Sequence, residues 1–297
     1  MASYLITGTN TGIGRATAEA LAARGGSVIL AARSHEKTMP VVHALRAKFP
    51  NTKIDFLLID LADLASVKAA ATTVTSWGRP LDVLINNAGL AGSMGRTKDG
   101  FQLTFGTNHI GPFALTEMLL PLLTAAPQGR IVNVASEAQR GAKGINWNAL
   151  REFDKGLIGA YSVSKLANVL YAKELARRLA GTPVTTYSLH PGVVASDIWR
   201  KLPAPVRVIA KLFMVSNEKG AQTSVYCSTA PELAAVSGRY YEKSQEKEPA
   251  PLANDLALAR ELYDWSDSAV TSVLGEGWRQ LVSPGKADQA VSTPKAI

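Results

Sequence analysis

Short apolar runs alternate along this chain with longer stretches whose apolar positions recur every three or four residues. The short runs are Tyr4–Thr7, Ser27–Ala32, Lys53–Ile59, Val83–Asn86, Arg130–Ala135 and Val184–His190. They are dense in Val, Ile and Leu and have no consistent polar face, as strands buried on both sides require. Gly238–Glu242 is a candidate seventh. Helical spacing falls between them, at Gly14–Arg24, Glu36–Phe49, Leu64–Trp77, Phe101–Ala125 and Gly159–Leu179. Strand and helix in alternation predict an α/β chain. The expected fold is single-domain and doubly wound, a parallel sheet of about seven strands with helices on both faces. Ligands of such a sheet sit beyond the carboxyl ends of its strands.

The rhythm predicts one domain over residues 1–282. It breaks at 195–216, which carries Pro203 and Pro205 among Ile198, Trp199, Leu202, Val206, Ile209 and Phe213. A long apolar insertion at the ligand edge predicts a substrate lid, with a helix packed on the core as the alternative. Residues 283–297 read as a disordered tail.

Composition narrows the class. The 297 residues are 46% hydrophobic and 19% charged, ordinary for a globular chain with a sizeable core. A single cysteine, Cys227, excludes an internal disulfide framework, and His35, His43, His109 and His190 are too scattered to predict a metal site. Lys and Arg number 32 against 24 Asp and Glu, a formal charge of +8. The basic residues are dispersed and no nucleic-acid motif accompanies them, so they suit an anionic small molecule better than nucleic acid. The most apolar helical run, Phe113–Ala126, is interrupted by Glu117 and Pro121 and is too short to span a bilayer. No targeting pattern precedes the first strand, which predicts a cytoplasmic protein.

Three patterns carry chemistry. In Tyr161-Ser162-Val163-Ser164-Lys165, Tyr and Lys stand four apart and share one face of a helix. A free phenol titrates at about 10, and a neighbouring ammonium favours phenolate, so the pair is a candidate general acid/base. Gly8, Asn10, Thr11, Gly12, Ile13 and Gly14 join the first strand to the first helix. A glycine-rich turn there lets a pyrophosphate approach main-chain N–H groups at the helix N-terminus. At the end of the second strand Ala32-Arg33 offers a cation and no acid. An Arg at that position accommodates the 2′-phosphate of NADP, where a carboxylate would hold the ribose of NAD.

With these residues assembled, the chain resembles the short-chain dehydrogenase/reductase family, which implies a Rossmann fold. The likeness rests on Thr7-Gly8-Thr9-Asn10-Thr11-Gly12-Ile13-Gly14, Asp60-Leu61, Asn86-Asn87-Ala88-Gly89, Asn108, Ser136, Tyr161, Lys165 and Pro191-Gly192 followed by Ser196. Lys98-Asp99-Gly100-Phe101, Asn108-His109-Ile110-Gly111 and Leu189-His190-Pro191-Gly192-Val193-Val194 are similar to the branch of retinol dehydrogenases and WW-domain oxidoreductases. The resemblance implies that Asn108, Ser136, Tyr161 and Lys165 are catalytic. Tyr161 would protonate a carbonyl oxygen and Ser136 would hydrogen-bond the same oxygen. Lys165 would lower the Tyr161 pKa and hold the nicotinamide ribose, and Asn108 would anchor a water serving Lys165. The implied cofactor residues are the glycine-rich turn, Arg33, Asp60, Leu61, Asn87, Ala88, Gly89, Tyr161, Lys165, Pro191, Gly192, Val194 and Ser196. NADP(H) is expected to be preferred over NAD(H). Ile145, Trp147, Ile198, Trp199 and Leu202 are candidate pocket residues for a hydrophobic ketone, aldehyde or secondary alcohol. Homodimers or homotetramers through the Phe101–Ala125 and Gly159–Leu179 helices are the family habit. Three alternatives stay open: a dinucleotide-sensing regulator, a reductase of an activated C=C bond, and a membrane-surface foot at Pro203–Met214.

Overall fold

The protein, in a computed structural model, is described over residues 1–152, 157–192 and 216–281. The order is β1 (Ser3–Thr7), α1 (Gly12–Ala22), β2 (Ser27–Ala32), α2 (His35–Lys48), β3 (Ile54–Leu58), α3 (Leu64–Ser76) and β4 (Val83–Asn86). Then come α4 (Leu103–Phe105), a π-turn (Gly106–Ile110), α5 (Gly111–Thr124), β5 (Arg130–Val134), α6 (Leu157–Arg178) and β6 (Thr185–His190). The chain continues through α7 (Asn217–Thr229), β7 (Arg239–Glu242), β8 (Gln245–Glu246) and α8 (Leu256–Leu274).

The strands form one sheet in the order β3-β2-β1-β4-β5-β6-β7-β8. Successive side chains of a strand point to opposite faces, so each strand feeds two cores. Leu5, paired with Ile29 and Leu84, lies in the layer under α3, α5 and α6; Ile6, paired with Leu30 and Ile85, lies in the layer under α1, α2 and α7. The chain crosses from one face to the other between β1 and β4, and the carboxyl ends of β1, β4, β5 and β6 meet at one edge of the sheet.

The fold is the expected one, with additions. An eighth strand, β8, pairs antiparallel with β7 through a hairpin at Lys243 and Ser244, whose φ angles are 51° and 58°. That turn geometry favours Asn and Gly, so Lys-Ser carried no hairpin signal. The single helix expected over Phe101–Ala125 is divided by the π-turn. Helices α7 and α8 were not among the expected elements. The lid at 195–215, the tail at 283–297, and Val194, Ser196, Ile198, Trp199 and Leu202 lie outside the described residues.

Helix α8 is docked by a buried carboxylate. Glu117, 3% exposed on α5, accepts hydrogen bonds from Tyr171 Oη on α6 (3.0 Å) and Tyr263 Oη on α8 (2.8 Å), and pairs with Arg279 Nε at 3.2 Å. A buried charge is tolerated only when paired and hydrogen-bonded in this way. No helix among the described residues is long and apolar enough to cross a membrane.

Candidate active site

The edge where β1, β4, β5 and β6 end collects most of the predicted site residues. At β1, Gly8 and Gly12 have φ of 74° and 62°, values that only glycine adopts freely. A Cβ on Gly14 would stand 2.2 Å from Gly8 O, so the turn closes only on glycine. Helix α1 starts at Thr11 without a side-chain cap and has no acid in its first turn. By contrast, Ser34, Asp63, Ser216 and Asp255 cap α2, α3, α7 and α8. Uncapped N–H groups behind a glycine cradle fit the pyrophosphate of a dinucleotide.

The loop after β4 is tied to that turn. Thr7 Oγ1 accepts from the N–H groups of Asn87 and Ala88, each at 3.0 Å. Asn87 Nδ2 donates to Thr7 O at 2.7 Å and also meets Gly8 O at 3.4 Å. The side chain of Asn87 therefore shapes the turn from beneath. Arg33 is exposed immediately after β2, and Asp60 Oδ1 accepts from Ala62 N at 3.0 Å in the turn after β3. Leu61 is buried in the core, its carbonyl against Gly111. Pro191 and Gly192, with φ of 89° at Gly192, follow β6 at the same edge.

Ser136 follows β5 and caps a short 3-10 turn, accepting from Ala138 N at 3.2 Å. The next residue anchors that turn: Glu137 takes Tyr240 Oη and Arg140 Nε, each at 3.0 Å, and Lys247 Nζ at 3.2 Å. No motif marked this clamp, which draws on β7 and the hairpin beyond it. Tyr161 and Lys165 lie one turn apart on α6, with Lys165 Nζ 5.7 Å from the centre of the Tyr161 ring. Lys165 is 3% exposed and donates to Val134 O at 2.8 Å. Burial lowers its pKa to about 8.

The Tyr161 phenol departs from expectation. Burial raises its pKa, and a hydrogen bond with Ser136 opposes that rise. The phenol is thus held in its protonated form rather than drawn toward phenolate, because desolvation outweighs the opposing contribution of Ser136. Asn108 departs too. Its Oδ1 accepts from Leu90 N at 2.8 Å, and its Nδ2 donates to Leu90 O at 2.9 Å and to Ser164 Oγ at 3.0 Å. Its side chain staples the π-turn to the loop after β4. Gly89 sits against both partners, and a Cβ there would lie 3.3 Å from Asn108 Oδ1 and from Lys165 Nζ. π-turns inside helices concentrate at functional sites, and this one carries Asn108.

A cavity of about 220 Å³ beside the start of α6 is lined mainly by small and apolar residues, among them Phe105, Leu150, Ala160 and Val163. Ile145 and Trp147 are partly buried and pack against the core, with the Trp147 ring 5.9 Å from that of Trp265 on α8.

Comparison with known proteins agrees with this geometry. The family model for short chain dehydrogenases matches residues 3–206. The chain is 41% identical over 284 residues to dehydrogenase/reductase SDR family member 13 of Bos taurus, covering 92% of this chain and 74% of that protein. It is 40% identical over 280 residues to retinol dehydrogenase 13 of Homo sapiens, covering 90% and 83%. Among solved structures, an uncharacterised protein from Mycobacterium Paratuberculosis superposes with a TM-score of 0.73 at 31% identity, over 91% of this chain and 94% of that one.

Proposed function

Because the chain belongs to the short chain dehydrogenase family, we propose that it transfers hydride between NADP(H) and a hydrophobic ketone, aldehyde or secondary alcohol. The observation that carries this reading is the convergence of Ser136, Tyr161 and Lys165 beside a glycine turn that fits a pyrophosphate.

The bound dinucleotide would supply or accept the hydride. The side chains manage charge and the proton. Ser136 lies close enough to Tyr161 to act on its pKa, so both hydroxyls can turn toward one substrate oxygen. As charge develops there, Ser136 donates a hydrogen bond and Tyr161 gives up its proton. The phenolate that results lies beside the Lys165 ammonium, which stabilises it in a site dry enough to make the attraction strong. Burial keeps Tyr161 protonated beforehand, which suits reduction of a carbonyl at neutral pH.

NADP(H) preference rests on Arg33, exposed after β2 with no acid beside it. Arg33→Ala is expected to weaken NADPH binding by about tenfold and leave NADH within twofold, since only the phosphorylated cofactor offers a group for the guanidinium. Fluorescence titration with both cofactors decides; equal losses would remove Arg33 from 2′-phosphate recognition. The reaction itself is tested by following NADPH oxidation at 340 nm against aliphatic, aromatic, steroid and retinoid carbonyls. Silence across that panel with NADPH bound would favour a dinucleotide sensor. The retinol dehydrogenase relatives support including retinoids.

On assembly the resemblance implies a homodimer or homotetramer, and one observation favours a monomer. Helix α8 packs along α6 and, through Tyr263, against Glu117 on α5. The chain therefore covers with its own helix part of the face that subunit pairing would use. A monomer is the proposed state, and light scattering coupled to size exclusion should give the mass of one chain; a dimer mass would mean that pairing tolerates or displaces α8. A cytoplasmic location belongs to the same proposal and rests on the sequence alone.

A further inference from the structure

A π-turn leaves main-chain carbonyls without their usual helical donors, and buried carbonyls need partners. The carbonyl of Asn108 finds one in Asn168, 6% exposed on α6. With its nitrogen facing inward, the Asn168 amide donates to Asn108 O at 3.0 Å and Ser164 O at 3.2 Å. Turned the other way, its oxygen would face those two oxygens and its nitrogen would reach only Val134 O, at 3.5 Å. The first orientation satisfies more groups.

That orientation presents the amide oxygen toward His109, which lies near enough to Asn168 for the amide to act on its pKa. On the far side, His109 Nε2 lies 2.9 Å from Ser266 Oγ on α8. His109 is 1% exposed, and burial lowers its pKa to about 3, so the ring is neutral. A neutral imidazole has one donor and one acceptor, and an amide oxygen only accepts. Nδ1–H must therefore donate to Asn168, and Nε2 accepts from the Ser266 hydroxyl. The bonds run in one direction: Ser266 to His109, His109 to Asn168, Asn168 to the carbonyl of Asn108. Asn168 thereby fixes where that carbonyl points.

We infer that Asn168, its amide oriented by His109 and Ser266, is a positioning residue for the candidate catalytic pair Asn108 and Lys165, so that α8 helps to set the geometry of the active site from outside it. This rests on the hydride-transfer reading of the same site.

Two kinds of measurement test it. Nitrogen NMR of the imidazoles reads the tautomer without turnover. Wild-type His109 should stay neutral with its proton on Nδ1 from about pH 5 to 9; a proton on Nε2 overturns the chain. Amide exchange in 106–111 should quicken in both Asn168→Ala and Ser266→Ala; unchanged protection in both also overturns it. On any carbonyl the wild type reduces, Asn168→Ala should lower kcat by about tenfold with KM values within twofold, and Ser266→Ala by about threefold. The double variant should be no slower than Asn168→Ala alone, because both changes break one chain. Losses that simply multiply, or that appear in KM, overturn the positioning role. A wild type silent on every carbonyl counts against the hydride-transfer reading, and the two measurements without turnover still judge the chain.

Discussion

Replacing Tyr161 by Phe should lower kcat for carbonyl reduction by about 10³-fold or more, with NADPH affinity nearly unchanged. The size follows from what the hydroxyl does. General acid catalysis contributes about 10²- to 10⁴-fold. Lys165 is a poor substitute: its ammonium donates to Val134 O and lies across the tyrosine ring. Phe fills the volume of Tyr, so packing and dinucleotide binding should survive. Removing the buried hydroxyl should change stability by about 1 kcal/mol. The pH profile of the wild type adds a check. Tyr161 stays protonated through neutrality, whereas the buried Lys165 loses its proton near a pKa of about 8. Reduction should hold level below that point and decline above it, as the phenolate loses its counter-ion. The same lysine is costly to bury as a cation, so its burial should weigh on stability most below pH 8 and be relieved as pH rises from there toward the ordinary lysine range. Steady-state kinetics across pH and a binding titration decide the matter. Retained turnover in Tyr161→Phe, or a decline beginning well below pH 8, would assign the acid to another group.

What could be read from the sequence was what is local. Strands buried on both faces announce themselves as apolar runs, and the glycine turn and the Tyr161–Lys165 spacing are each confined to a few positions. Charge state was not readable, because it depends on burial that other elements provide. The adjacent lysine argued for a lowered Tyr161, and the dry site raises it. The π-turn was hidden for another reason: one extra residue per turn hardly disturbs the apolar spacing of Phe101–Ala125. Glu117 looked like an interruption of an apolar helix. Its partners Tyr171 and Tyr263 stand 54 and 146 positions away, and only the packing of α5, α6 and α8 reveals it as their shared acceptor. Asn87 was read as a cofactor residue from its motif, yet its amide bonds Thr7 and Gly8. Through those bonds it shapes the glycine turn.

That shape makes Gly14 the position where the smallest change should do the most harm to binding. Gly14 lies buried in the first turn of α1, and an alanine Cβ there would stand 2.2 Å from Gly8 O, 2.9 Å from Gly8 C and 2.5 Å from Asn87 Nδ2. Two of those three atoms are main chain, so no rotamer relieves the clash. Either α1 withdraws from the turn or Gly8 moves, and Gly8 N is fixed to Ala31 O at 2.8 Å. In both cases the N–H groups that face the pyrophosphate shift. Gly14→Ala should weaken NADPH by about 100-fold or more, about 2.7 kcal/mol, and overpacking should cost about 1–3 kcal/mol of stability. Gly159→Ala is the matching control. A Cβ there meets nothing within 4 Å, so affinity should not change. Fluorescence titration beside thermal melts separates the two effects. A folded Gly14→Ala that binds NADPH as tightly as wild type would mean that the cofactor does not lie against this turn, and the site would have to be sought elsewhere along the sheet edge.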